Sequence, residues 1–127
     1  MKTINEFKSE KITIAEFASL LFSARKQIHI KHLQTNSYSE HKALNEFYEK
    51  ILDLTDDFIE TYQGQYGIIK TYKIKDVEAT DVVSYLQKFI ETTKNYSKSL
   101  EDSHLQNILD EMIALSYKTV YKLKNLK

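Results

Sequence analysis

No proline interrupts the 127-residue chain, and its two glycines, Gly64 and Gly67, fall within one four-residue stretch. Proline and glycine are the residues that most strongly stop a helix. Nearly every other segment is therefore free to be helical, and the long runs of Leu, Ile, Glu, Lys and Gln favour that state. The reading is all-α. Hydrophobic residues make up 42% of the chain, enough for a real core, and the length suits one domain spanning residues 1–127. The chain has no cysteine, which excludes disulfides and thiol chemistry. A formal net charge of zero argues against nucleic-acid binding driven by overall charge. The start lacks an apolar signal run, and no window approaches the length of continuous apolar sequence that a membrane span needs. The expectation is a cytoplasmic protein without membrane contact.

Periodicity divides the chain into four helices. Thr13 and Glu16 form a capping box for the first. Its stripe of Ile14, Phe17, Ala18, Leu21 and Ile28, with the stem of Arg25, runs to about Leu33. A polar turn occupies Gln34 to Ser39, with Ser37 or Ser39 as N-cap of the second helix. That helix carries Leu44, Phe47, Tyr48, Ile51, Thr55, Phe58 and Tyr62, and Gly64 and Gly67 mark its end. Residues 65–76, QYGIIKTYKIKD, are β-prone and lack a helical period, which suits a hairpin-like arm or an extended crossover. A third helix begins near Asp76 or Thr80 and carries Val82, Val83, Leu86, Phe89, Ile90 and Thr93. Residues 95–99 break it. Ser99 with Asp102 is a second capping box, and the fourth helix carries Leu105, Ile108, Leu109, Met112, Leu115, Thr119, Val120 and Leu123. Four amphipathic helices of this kind make a four-helix bundle.

The stretch from Gln27 to Gly67 holds the chemistry. His29 and His41 are equidistant from position 35, so an antiparallel αα-hairpin centred there sets them side by side. On the second helix, Asn45, Asp56 and Glu60 lie about 40°, 60° and 100° round from His41, a polar seam beside the apolar stripe. Height constrains the seam further. His41 and Asp56 stand roughly 22 Å apart along the axis, against metal–ligand bonds of about 2 Å. One chain cannot bring both ends to one ion. Two copies of the helix, antiparallel about a two-fold axis, can, so a metal site on this seam is an intersubunit site.

The spacing His29, His41, Asn45, Asp56, Glu60 resembles the ferroxidase pattern of the Dps-type mini-ferritins: His, His twelve on, Asp four on, Asp eleven on, Glu four on. All five positions match in spacing and four in identity. The resemblance implies a ferritin-like bundle that forms at least a two-fold homodimer or a larger shell. It also implies iron bound between subunits by these five residues, other divalent transition metals being compatible, and oxidation of that iron by peroxide or oxygen. None of the five is assigned as a catalytic acid, base or nucleophile. Asn45 departs from the family's aspartate, and an amide carbonyl is a neutral, weaker ligand than a carboxylate. Ferritin-like topology also requires the link between helices 2 and 3 to run the length of the bundle. Twelve extended residues span about 40 Å, and a 25-residue helix about 38 Å. The short extra helix usual in that link is missing here. The phrases HKALNEFY and YQGQYG resemble short phage-encoded proteins of unknown function.

Other signals point elsewhere. Arg25, opposite Asn45 in a hairpin centred on position 35, offers a guanidinium to Asp56 or Glu60 of a partner chain, filling the charge role of a metal. On that reading the protein is a non-enzymatic helical assembly, or a phage accessory protein acting on a host partner. His32 is a second-rank ligand candidate. Glu101 and His104 form a single Glu-x-x-His, read as a surface or capping pair. The ending YKTVYKLKNLK carries four lysines. Such tails hold DNA phosphates in some Dps-type proteins, but lysine at a helix C-terminus also complements the helix dipole. The tyrosines of the central segment, Tyr38, Tyr48, Tyr62 and Tyr66, read as interface packing.

Overall fold

A computed structural model describes residues 11–127. Four helices pack together: α1 (Ile14–Gln34), α2 (Tyr38–Tyr66), α3 (Val82–Lys98) and α4 (Ser103–Asn125). Helix α1 packs on α2, α2 on α4 and α4 on α3, and a thinner α1–α3 contact closes the ring. No strand forms among the described residues.

The helix starts follow from local chemistry. Thr13 and Glu16 make the expected capping box, each side chain bonded to the other's backbone N–H at 3.1 and 3.0 Å. At α2 the cap is Ser37, whose Oγ accepts from the N–H of Glu40. Asp81 caps α3 by accepting from the N–H groups of Val83 and Ser84. Helix α2 runs past Tyr62 and through Gly64 to Tyr66, so Gly67 alone ends it, at φ 99°. The expected Ser99–Asp102 box is absent. Ser99 is instead the C-cap of α3, its Oγ donating to the Tyr96 carbonyl, and Asp102 is the N-cap residue of α4, though its side chain makes no capping bond. Its carboxylate accepts instead from Gln65 and from the Tyr66 hydroxyl, fastening the end of α2 to the start of α4.

The core is the expected set of stripes. Phe17, Leu21 and Ile28 of α1 meet Leu44, Phe47, Ile51 and Phe58 of α2, Leu86 of α3, and Leu105, Leu109 and Met112 of α4, all fully buried. Burying each such side chain stabilises the fold by about 1.5–3 kcal/mol. An aromatic cluster closes one end. Phe17 stacks on Tyr96 at 4.2 Å between centroids and meets Phe58 edge-on at 5.5 Å. Phe17 opens α1 and Tyr96 is near the end of α3, so those two helices are antiparallel.

The link, residues 67–81, is an extended crossover without a helix. It advances along α1. The N–H of Lys73 donates to Ser19 Oγ, Ser23 Oγ donates to the Lys75 carbonyl, and Lys26 pairs with Asp76 at 2.9 Å. Leaving the end of α2, the chain therefore travels the length of α1 before α3 begins, and α2 and α3 point the same way. This explains why Ser19, Ser23 and Gln27 are buried despite their polarity. Small or hydrogen-bonding residues at i, i+4 and i+8 form a track on which an unpaired backbone lies, and its polar groups need partners there.

Candidate functional site

The hairpin between α1 and α2 turns in three residues, Thr35 to Ser37. A turn this short moves the fold-back centre from position 35 to between Asn36 and Ser37. The histidine beside His41 is consequently His32. Their rings stack at 3.7 Å between centroids, 22° from parallel. Each Nδ1 meets the other residue's backbone carbonyl, His32 to His41 at 2.8 Å and His41 to His32 at 2.9 Å. A carbonyl only accepts, so both Nδ1 atoms carry the proton and both Nε2 lone pairs remain open in the neutral rings. His32 is buried and His41 half-buried.

His29 stands one ring further along. Its imidazole lies 6.0 Å from that of His32 and 4.2 Å from the Tyr48 ring, which is itself 5.1 Å from His32. Tyr48 donates its hydroxyl to Asn45 Oδ1 at 2.8 Å. Four aromatic rings and one amide thus form a continuous patch at the turn end of the bundle. The amide oxygen expected to serve as a ligand is already accepting a hydrogen bond.

Asp56 and Glu60 are exposed on the far half of α2, and among the described residues neither has a hydrogen-bond or ion-pair partner. Arg25 is half-buried, with its Nε shielded from solvent and without an acceptor among the described residues. The shifted hairpin centre places it across from Tyr48 rather than Asn45. Among the described residues, no three His, Asp or Glu side chains of the one chain gather closely enough to hold an ion. The stacked pair is no chelate either. In-plane lone pairs on two near-parallel rings do not converge on one point.

Elsewhere, His104 joins the clasp at the opposite end of the bundle. Gln65 donates to Asp102, so its Oε1 is an acceptor, and His104 Nε2 donates to it at 2.7 Å. Tyr66 and Asp102 shift one another. Their hydrogen bond pushes the phenol up and holds the carboxyl down. The Glu-x-x-His signal therefore belongs to a structural fastening, in which Asp102 rather than Glu101 supplies the carboxylate. Glu46 links α2 to α4 through Lys122 and also pairs with Lys50, each at 2.7 Å, and these ammonium groups hold its carboxyl down at about 2. Lys122, one of the four lysines near the C-terminus, is thus occupied within the bundle.

His32, a second-rank candidate in sequence, and Tyr48, expected only to pack, are both central to the patch. The signal that finds them is turn length, because a three-residue turn capped by Ser37 sets the pairing register.

No helix among the described residues is long and apolar enough to cross a membrane. In comparisons with known proteins, the pattern of DUF5856, a family of unknown function, matches residues 32–123. That span includes His32, His41, Asn45, Asp56 and Glu60 and leaves out Arg25 and His29. An "uncharacterized 14.6 kDa protein in mobD-ri intergenic region" of Enterobacteria phage T4 is 28% identical over 110 residues, 85% of either chain. No solved structure matches.

Proposed function

The chain belongs to the DUF5856 family, and we propose that it is a ferritin-like helical protein that pairs about a two-fold axis and holds a divalent metal, iron first, between two copies. One observation carries this reading. The two halves of a ligand set lie at opposite ends of α2, with nothing among the described residues to satisfy them. His41 presents an open Nε2 at one end, and Asp56 and Glu60 stand exposed at the other, unpaired among the described residues. Antiparallel pairing of two α2 helices sets each histidine end against a carboxylate end. The crossover link and the parallel course of α2 and α3 support the ferritin-like part of the proposal.

The side chains fit such a role as far as one chain carries them. A histidine whose Nδ1–H is fixed on a carbonyl has its ring orientation and tautomer set for binding through Nε2. In this arrangement the backbone supplies that support for His41, and His29 lies one ring further along, against Tyr48. Asp56 and Glu60 would bring negative charge to compensate the cation, and Asn45, replacing an aspartate, leaves the set one charge lighter. Bound iron would supply the electron for reduction of oxygen or peroxide. The residues of this chain would position and neutralise it.

The second reading keeps the pairing and drops the metal. Its specific support is Arg25, whose shielded Nε lacks an acceptor among the described residues. A carboxylate of the partner copy, Asp56 or Glu60, is a fitting one. The protein would then be a non-enzymatic assembly, and the phage relative favours an accessory role of that type.

Thermal unfolding of metal-free protein, with and without excess ferrous iron under anaerobic conditions, separates the two readings. A ligand at a hundredfold excess over its dissociation constant adds about 2.7 kcal/mol, roughly 10 °C for a chain of this size. The first reading predicts that rise and its loss in His41→Ala. The second predicts no shift with iron, and a weaker dimer in Arg25→Ala.

A further inference from the structure

A cavity of about 360 Å³ lies between α1, the crossover link and α3, remote from the histidine patch. Its volume falls in the range of small-molecule clefts, about 300–1,000 Å³. Leu20 of α1, Val77 of the link and Phe89 of α3 give it apolar walls. Its charges are unbalanced. Lys73 and Lys75 of the link and Lys88 of α3 stand at the rim, and the acid among the lining residues is Glu16. That carboxylate is already bound to the N–H of Thr13 and is held down by this bond. Tyr85 also lines the space, and burial pushes its hydroxyl up to about 12, so it stays neutral across the physiological range.

The walls are fixed before any ligand arrives. The two serine bonds and the Lys26–Asp76 pair hold the link down on α1. An apolar space roofed by backbone and ringed by cations suits an apolar body with one anionic head. A polyanion would find few polar groups inside, and a cation would meet the lysines.

We propose that this cavity binds a small amphipathic anion, a carboxylate on a medium-length acyl or aryl body. The proposal stands on its own observations and does not depend on the metal reading.

The test titrates the full chain with decanoate by calorimetry, with decylammonium, decanol and decyl phosphate in parallel. The expected result is one saturable site for decanoate, no saturable binding of decylammonium, and weaker binding of decanol. Decyl phosphate tests whether the head is read as a carboxylate or simply as an anion. Tighter binding of the phosphate than of decanoate would overturn the carboxylate assignment. Lys88→Glu should weaken decanoate roughly tenfold, the effect of one reversed charge at a partly desolvated rim. Val77→Trp should abolish binding by filling the space. Val77 is on the exposed link, so this variant keeps the helical core, which circular dichroism checks. Absence of saturable decanoate binding, equal binding of decylammonium, or unchanged affinity in both Lys88→Glu and Val77→Trp would overturn the proposal.

Discussion

At the scale of the residue, His32 and His29 look alike in sequence and differ in structure. His32 is buried, stacked on His41 and bonded to its carbonyl; His29 is half-exposed and rests on a tyrosine. Replacing His32 with alanine leaves the His41 carbonyl without its donor and removes the stack. The expected loss is about 1–3 kcal/mol in urea unfolding, against less than about 1 kcal/mol for His29→Ala. Equal losses would mean that the stacked pair is not a structural clasp. Glu46 gives a pH signature. Its carboxyl is lowered from 4.5 to about 2 by Lys122 and Lys50, so its contribution is present above about pH 4.5 and is lost as pH falls toward 2. The group is partly solvated, which limits the effect. Glu46→Gln should cost at most about 1 kcal/mol at pH 7, and the difference from the unsubstituted protein should vanish in acid. A difference that grew on acidification would contradict the assignment.

At the scale of the element, the two glycines of α2 have opposite roles. Gly64 is helical with open space around its α-carbon, whereas Gly67 has φ 99°. Gly64→Ala should therefore stabilise by about 0.5–1 kcal/mol and Gly67→Ala should destabilise, both read by thermal unfolding. Ser37→Ala should cost about 1 kcal/mol as loss of the α2 cap, with Ser39→Ala smaller. Most of this level was legible in the sequence. The four apolar stripes, the Thr13 box and the extended link are local patterns, and local physics produces them. The register of the hairpin was not legible, because nothing in its periodicity says where a six-residue polar stretch actually turns. A one-and-a-half-residue shift in the centre was enough to exchange His29 for His32 beside His41. The Ser99–Asp102 box failed for a related reason. The Asp102 carboxylate has competing donors, and Gln65 and Tyr66 arrive from 37 and 36 residues earlier in the chain, beyond any local pattern. The serine track under the link was readable as i, i+4 spacing on α1, but its meaning needs the crossover to be in place.

At the scale of the whole molecule, labour is divided along α2, with the His41 imidazole at one end and the Asp56 and Glu60 carboxylates at the other. Their separation follows from helix rise alone, and it makes pairing of two copies a condition of the proposed site. The most direct measurement mixes two defective proteins. His41→Ala and Asp56→Ala should each bind no iron alone. Unfolded together, refolded and freed of oxygen, they form mixed dimers in which one of the two interface sites regains both intact halves. By isologous pairing, the equimolar mixture should recover about a quarter of the unsubstituted protein's iron capacity, measured by anaerobic ferrous titration. Recovery near that level is the result predicted. A mixture that binds no more iron than either variant, while the unsubstituted protein binds it, would contradict the intersubunit site.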